Sequence, residues 1–280
     1  MNFGMLWFVF ATLLGFLMGW HHYDPTALDS LASVGWSYDD GSSLTDATLT
    51  FLTVAVIYGM IGSGMVATAR NGNGRLASEA NASMVALLLS AILLATYILP
   101  FIFGFVGLDT DTGPIAIMLY SFETLAVGLL LVPVFINLLI TAANRGEKEL
   151  QTSVWFLIMG VAAYIISMIY MFFGELISAT QMVWLAERVA YGWVPLALIF
   201  SVGYHIIPMS AQQPIWSGSM RTASMLLLFI TIPPFFMTDA SGSNFLTNVG
   251  AILLTLGILP IFAVSINLLM TALSLIHISE

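Results

Sequence analysis

The sequence lacks cysteine altogether and carries few charged side chains. The absence of Cys in 280 residues excludes disulfide frameworks, thiolate metal sites and cysteine nucleophiles. Charged residues make up 8% of the chain and apolar residues 59%, whereas a soluble chain has roughly 25% charged residues. Because so few charges cannot solvate the outside of a globule of this size, the surface is predicted to face a lipid bilayer.

Basic residues and histidines are also scarce. The net charge of −9 argues against nucleic acid as a partner, because no basic surface is available to displace counterions from phosphates. The chain contains no Walker loop, no dinucleotide-binding fingerprint and no metalloprotease histidine pair. Its four histidines, a small supply for haem or copper sites, are His21, His22, His205 and His277.

Long apolar runs predict an all-α membrane protein, a polytopic bundle of about eight transmembrane helices. A helix needs about 20 mostly apolar residues to cross a bilayer. The runs are continuous and do not alternate with period two, which favours helices over the strands of a barrel. The predicted spans are Asn2–Gly19, Thr48–Ala69, Asn81–Val106, Pro114–Ala143, Thr152–Gly174, Gln181–Ile207, Arg221–Thr238 and Phe245–Leu273.

The cations predict how this bundle is oriented. Five of the six Lys and Arg residues lie between spans two and three, four and five, or six and seven, and the other loops carry aspartates instead. Cations stay on the cytoplasmic side of a membrane, so both termini are predicted inside, with the acidic loops outside. The five cations are Arg70, Arg75, Arg145, Lys148 and Arg221.

The chain is predicted to form one transmembrane domain, residues 1–273, without a soluble domain. The last seven residues, 274–280 with the sequence SLIHISE, resemble translated sequencing adapter. We therefore predict a non-native tail, exclude His277 and Glu280 from functional reasoning, and expect the natural protein to continue beyond Leu273 with further spans.

Charged and polar residues inside predicted spans are candidate functional groups, because a charge in a bilayer is costly unless it is paired or hydrated. Glu187 and Arg188 are neighbours in the sixth span and point about 100° apart on a helix. Arg188 is a candidate partner for a carboxylate on another helix, Glu175 or Glu123. Two interpretations remain open: a proton, ion or anion site, or a structural ion pair near the outer interface.

The histidines allow two interpretations as well. His205, near the inner end of the sixth span, completes the candidate intramembrane polar site either as a ligand or as an interfacial hydrogen-bonding group. The adjacent His21 and His22 suit metal binding or anchoring at the outer interface. No second cluster of ligands accompanies them, so no metal site is predicted. The small residues Gly59, Gly62, Ser63 and Gly64 in the second span predict close packing against another helix.

Four segments, in order along the chain, resemble one known family. None is specific alone, but their order and spacing agree over nearly the whole chain. They resemble the large catalytic subunit of haem–copper oxidases, especially cbb-type cytochrome c oxidases and the related nitric oxide reductases, and would correspond to the first two-thirds of a twelve-helix fold. The segments are AVIYGMIGSGMVAT (55–68), VWF (154–156), GYHIIPMSAQQPIWS (203–217) and INLLMT (266–271).

The metal ligands that this resemblance implies are missing. The family's low-spin haem histidine falls on Leu52 and its first copper histidine on Arg188. The adjacent copper pair falls on Phe235 and Phe236, and an alternative register gives Thr238 and Asp239, again without histidine. Copper at such a site needs imidazole nitrogens, whereas Leu and Phe offer no lone pair and Arg is permanently cationic. We therefore expect neither haem nor copper in this chain.

These observations predict a ligand-depleted homologue of the oxidase subunit. Such a chain is expected to be an accessory or structural subunit of a respiratory membrane complex, in contact with other subunits, with a proton path or a quinone surface as a further role. One alternative is an active terminal oxidase or nitric oxide reductase whose ligands come from unexpected positions or another subunit. Another is an unrelated transporter, which inverted repeats would favour; no convincing repeat is found.

Overall fold

A computed structural model describes residues 2–32, 43–71, 74–105, 114–146, 149–230 and 244–273. Within these ranges all regular structure is helical. The helices are α1 (Asn2–Tyr23), α2 (Asp29–Ala32), α3 (Ser43–Asn71), α4 (Glu79–Phe105), α5 (Pro114–Ala143), α6 (Thr152–Leu176), α7 (Thr180–Arg188), a π-helical turn (Val189–Trp193), α8 (Val194–Ala211), α9 (Gly218–Ile230), α10 (Asn244–Thr255) and α11 (Ile258–Leu273).

The helices have the length and composition of membrane spans. Seven helical stretches in the described ranges are long and apolar enough to cross a membrane, and they correspond to seven of the eight predicted spans. Five are the single helices α1, α3, α4, α5 and α6; the other two are α7 to α8 through the π turn, and α10 with α11. The exception is the predicted span Arg221–Thr238. There the structure describes only the 13-residue helix α9, too short to cross, and residues 231–243 lie outside the described ranges. Many large apolar side chains are exposed on these helices, as lipid contact requires.

Two prolines explain where the long helices depart from α geometry. Pro195 has no N–H to donate to the carbonyl of Tyr191, and the turn before it is π-helical, with Val194 N bonded to Val189 O. Pro260 likewise has no N–H to donate to the Leu256 carbonyl. That carbonyl instead accepts a hydrogen bond from Leu259 N, with an N–O distance of 2.9 Å. The predicted span Phe245–Leu273 is therefore two helices, α10 and α11, rather than one.

The helices form two compact units. Met1–Gly62 and Ser78–Val134 make up the first unit, and Ser63–Ala77 with Phe135–Glu280 the second. In the first unit the Trp7 indole lies between two helices: its Nε1 donates to Ser90 Oγ at 3.1 Å, and its ring lies 4.7 Å from that of Phe51. Phe51 in turn meets the edge of Tyr97, whose hydroxyl donates to Thr50 Oγ1 at 2.8 Å.

The second unit is built on close helix packing at small residues. A Cβ added at Gly64 in α3 would lie 2.6 Å from Leu157 Cδ1 in α6, and one at Gly160 would lie 3.0 Å from Leu198 Cδ2 in α8. Leu157 and Leu198 are completely buried. Of the small residues in the second span, Gly64 therefore serves close packing and is the residue through which α3 approaches α6, whereas a Cβ at Gly59 would meet no atom within 4 Å.

We expect Gly64→Ala to lower the free energy of unfolding by about 1–3 kcal/mol, the usual cost of forcing a methyl group into a filled core. Unfolding of the protein in mixed micelles, followed by circular dichroism, measures the change. Gly59→Ala is the matched control, because a Cβ at Gly59 meets no atom within 4 Å. That control is expected to be neutral or stabilising, by up to about 1 kcal/mol; equal losses in both variants would contradict the packing argument.

Candidate functional site

The second unit contains residues 63–68 of the first segment that carries the family resemblance and the whole of the other three segments. Gly64 belongs to the first segment and packs on Leu157, which directly follows the second segment. Phe156 of that second segment stacks on Tyr204 of the third, with ring centroids 5.7 Å apart and an interplanar angle of 9°. Tyr204 in turn bonds to Asn267 of the fourth segment. Segments up to 200 residues apart in the sequence therefore share one core.

Asn267 is the centre of the polar part of this core. Its side chain is completely buried and uses both ends of the amide. Nδ2 donates to Tyr204 Oη and to the Ser217 carbonyl, each at 3.1 Å, while Oδ1 accepts from Ser217 N at 2.9 Å. One side chain of α11 therefore holds both the end of α8 and the turn that follows it.

Hydroxyl groups complete this network. Thr271 Oγ1, one turn after Asn267, accepts from Trp216 N at 3.0 Å and donates to the Asn267 carbonyl at 2.7 Å. Tyr204 Oη also lies 3.4 Å from Ser224 Oγ in α9. The N–H groups of Trp216 and Ser217 and the Ser217 carbonyl, in the partly exposed turn between α8 and α9, thus find their partners on α11.

We expect Asn267→Ala to destabilise the protein, because it removes the three hydrogen bonds of a completely buried side chain, each worth about 0.5–1.5 kcal/mol. The measurement is the unfolding midpoint in micelles, together with protease sensitivity of the α8–α9 turn. Asn248→Ala, at an exposed position in α10, is the control and is expected to leave both unchanged. A midpoint within error of the parent protein for Asn267→Ala would contradict the role of this amide.

The five residues of the candidate intramembrane polar site are divided between the two units. Glu123 is buried in the first unit. In the second unit, Glu175 and Glu187 line one cavity at the α6–α7 connection, and Arg188 directly follows Glu187. His205 lies toward the other end of α8, so three of the five residues group together.

We call the space lined by Glu175 and Glu187 the carboxylate cavity. It is an open pocket with a volume of about 260 Å³. Its floor is formed where α6 and α7 meet at Gly174, whose added Cβ would lie 2.9 Å from Met182 Cβ. Two acidic residues, two hydroxyl-bearing residues and a tryptophan are among the residues that line it. The lining residues, apart from Gly174 and Val183, are Glu175, Ser178, Thr180, Trp184 and Glu187.

Arg188 lies beside this cavity. Its guanidinium carbon lies 4.7 Å from the centroid of the Trp184 ring, within the range of a cation–π interaction. Trp184 and Arg188 are four residues apart, and such pairs are neighbours on one helix face. The predicted ion pair between Arg188 and a carboxylate of another helix stays a prediction; the contact that the structure gives is with an aromatic ring of its own helix.

Ser178 shapes the rim of the cavity. It has φ 55°, the left-handed conformation that often ends a helix. Ala179 N donates to Gly174 O at 2.7 Å and Ser178 N to Glu175 O at 3.1 Å, which is the pair of bonds that defines a Schellman motif. The motif satisfies the last carbonyls of α6 and turns the chain directly into α7.

We expect Ser178→Gly to raise the free energy of unfolding by about 1 kcal/mol, because a side chain in the left-handed region is strained and Gly is not. Ala179→Gly is the control: Ala179 has φ −87°, so glycine there relieves nothing and is expected to be neutral or destabilising. The midpoint of thermal unfolding of both variants in the same detergent measures the two effects. A Ser178→Gly protein that is less stable than the parent would contradict the inference that Ser178 is strained.

At the opposite end of the second unit, His205 lies near a cation. Arg70, in the last turn of α3, donates to the Met209 sulfur in α8. His205 lies one turn before Met209, close enough to the Arg70 guanidinium for an electrostatic interaction. In the first unit, His21 and His22 occupy the last turn of α1. Among the residues that the structure describes, no three His, Cys, Asp or Glu side chains gather as a metal-binding group.

Leu52 and Arg188, to which the resemblance assigns metal ligands, have side chains that do not fit haem or copper. Leu52 has no lone pair, and its side chain is 41% exposed beside the buried Phe51. Arg188 carries a permanent positive charge and is held over an indole. Phe235 and Phe236, like Thr238 and Asp239, lie outside the described residues.

Reasoning from sequence missed three residues of these sites. Trp184 could have been found from its spacing of four residues to Arg188. Asn267 lies within a segment that carries the resemblance, but its role depends on a turn 50 residues away. Ser178 gives no signal, because its left-handed backbone follows from the tight α6–α7 connection rather than from the residue type.

Comparisons with known proteins add no family assignment. Neither a protein-family model nor a curated protein sequence matches the chain. The likeness to haem–copper oxidases therefore rests on the residues and their convergence alone.

Proposed function

We propose that this protein is an accessory or structural subunit of a respiratory membrane complex, a homologue of haem–copper oxidase subunit I that has lost the haem and copper ligands. In this proposal it is a multi-pass protein of the prokaryotic inner membrane with its N-terminus in the cytoplasm. Its partners are the lipid bilayer and other subunits of the complex.

The observation that carries the proposal is the convergence of the four resembling segments. Apolar spans of one bundle pack together in any case, so the argument rests on the specific contacts that join these segments. Here Phe156 stacks on Tyr204, Tyr204 bonds to Asn267, and Asn267 bonds to Ser217. Residues from the second, third and fourth segments thus contact one another directly. These contacts favour the interpretation that the segments were inherited together from an oxidase-like ancestor.

The chemistry of the former ligand positions supports an accessory role over a catalytic one. Leu52 contributes a hydrocarbon side chain, and the Arg188 guanidinium neither donates an electron pair nor tolerates a nearby metal cation. The contact of Arg188 with Trp184 replaces metal coordination by a cation–π interaction. No catalytic step is assigned to these residues.

The test is to tag the protein in its native membranes, purify it with its partners in mild detergent, and then purify the chain alone. We expect haem-containing respiratory subunits to co-purify, and we expect the isolated chain to show less than one haem and one copper per molecule by reduced-minus-oxidised spectra and metal analysis. Leu52→Ala and Arg188→Lys are expected to leave the haem and copper content of the complex unchanged.

Two outcomes would contradict the proposal. Stoichiometric haem and copper on the isolated chain, lost in the Leu52 or Arg188 variant, would make it an active oxidase or reductase subunit. Co-purification with no respiratory subunit, together with substrate uptake by vesicles that contain the chain alone, would make it a transporter. Asn248→Ala, at an exposed site, is the control for the effect of substitution on assembly.

A further inference from the structure

The carboxylate cavity lies where two membrane spans end. The candidate spans Thr152–Leu176 and Thr180–Ala211 meet at its rim. The apolar side chains Leu176 and Ile177 beside it are 67% and 64% exposed. The ends of these spans are expected at the level where lipid headgroups meet acyl chains. Polar and charged residues line the cavity, but most of the surface that they and Val183 expose to it is apolar.

The size and lining of the cavity favour an organic group over a bare metal ion. Its volume of about 260 Å³ is several times the roughly 30 Å³ that one water molecule occupies in the liquid. A divalent ion that binds oxygen needs about six or more ligands at short range, and among the described residues no three acidic or histidine side chains gather. An ammonium group suits two carboxylates and the face of an indole.

The other polar groups suit a phosphate. Ser178 and Thr180 place hydroxyl donors in the lining, and the Arg188 guanidinium is held beside it over Trp184. Arginine is the side chain best adapted to phosphate oxygens. Residues that suit a phosphate and residues that suit an ammonium group therefore lie together at the α6–α7 connection. A zwitterionic headgroup, which carries both charges, requires this arrangement.

We propose that the carboxylate cavity binds the headgroup of a zwitterionic phospholipid. The ammonium lies between Glu175, Glu187 and the Trp184 ring, the phosphate lies toward Ser178, Thr180 and Arg188, and the acyl chains lie along the apolar border. The ligand is taken from the bilayer rather than from solution because the exposed Leu176 and Ile177 offer surface to acyl chains. This site is independent of the proposed respiratory role.

The test measures lipid retention by native mass spectrometry of the detergent-purified protein. Phosphatidylethanolamine and phosphatidylglycerol with identical acyl chains are titrated separately. We expect one phosphatidylethanolamine to bind at least about tenfold more tightly than phosphatidylglycerol. The Glu175→Gln/Glu187→Gln double variant is expected to lose that preference, because the amides keep the shape of the carboxylates but not their charge.

Two controls separate headgroup recognition from a change in folding. Glu149→Gln makes the same chemical change at an exposed carboxylate before α6, at the other end of that helix, and is expected to keep the preference. Trp184→Phe keeps an aromatic face and is expected to retain most of the binding, whereas Trp184→Leu is expected to lose it. Melting temperatures of all variants identify any that have unfolded.

Three outcomes would overturn the proposal. Equal binding of the two lipids by the parent protein would mean that only acyl chains are recognised. An unchanged preference in the folded double variant would remove the carboxylates from the site. Free phosphoethanolamine binding as tightly as the lipid would make the ligand a soluble molecule. None of these outcomes depends on whether haem-containing subunits co-purify, so the site and the respiratory role are tested separately.

Discussion

Inside a bilayer every backbone N–H and C=O must find its partner within the protein, and most features of this structure follow from that constraint. The spans are helices because helices satisfy their own backbone. Where a proline removes a donor, the chain adopts another helical bonding pattern, with a π turn before Pro195 and a 3₁₀-type bond before Pro260. Where the chain leaves the helix, at Trp216 and Ser217, side chains of α11 supply the missing partners.

This same constraint explains how much of the fold could be predicted from the sequence. Hydrophobic runs report helices directly, so the prediction Pro114–Ala143 agrees with α5 to the residue, and that for the fifth span is short by two residues at its end. The break between α10 and α11 was missed, because hydropathy stays high through Leu256 and Gly257. The position of Pro260 was known, but its effect depends on which neighbouring donor can take over the Leu256 carbonyl.

The candidate site was predicted less completely, for a different physical reason. The sequence identifies charged residues in predicted spans one at a time, because each charge in a bilayer is energetically unfavourable. Glu175, Glu187 and Arg188 could each be chosen in this way. The sequence does not say which of them meet. That Glu175 and Glu187 share a cavity depends on the tight connection through Ser178, and that His205 lies apart from them depends on the length of α8. The side chains that organise both regions, Trp184 and Asn267, are uncharged and so gave no comparable signal.

The π turn at Val189–Trp193 changes how positions on this helix correspond to those of a relative. A π turn holds one more residue than an α turn at nearly the same rise, so residues before it are rotated by about 100° relative to those after it. Counting back from Pro208 to Arg188 crosses this extra residue. In a relative with an uninterrupted α-helix, the same place in space would correspond to Glu187, whose side chain is also no imidazole. Under the proposed homology, Glu187 rather than Arg188 would then correspond to the copper histidine, and neither side chain is an imidazole.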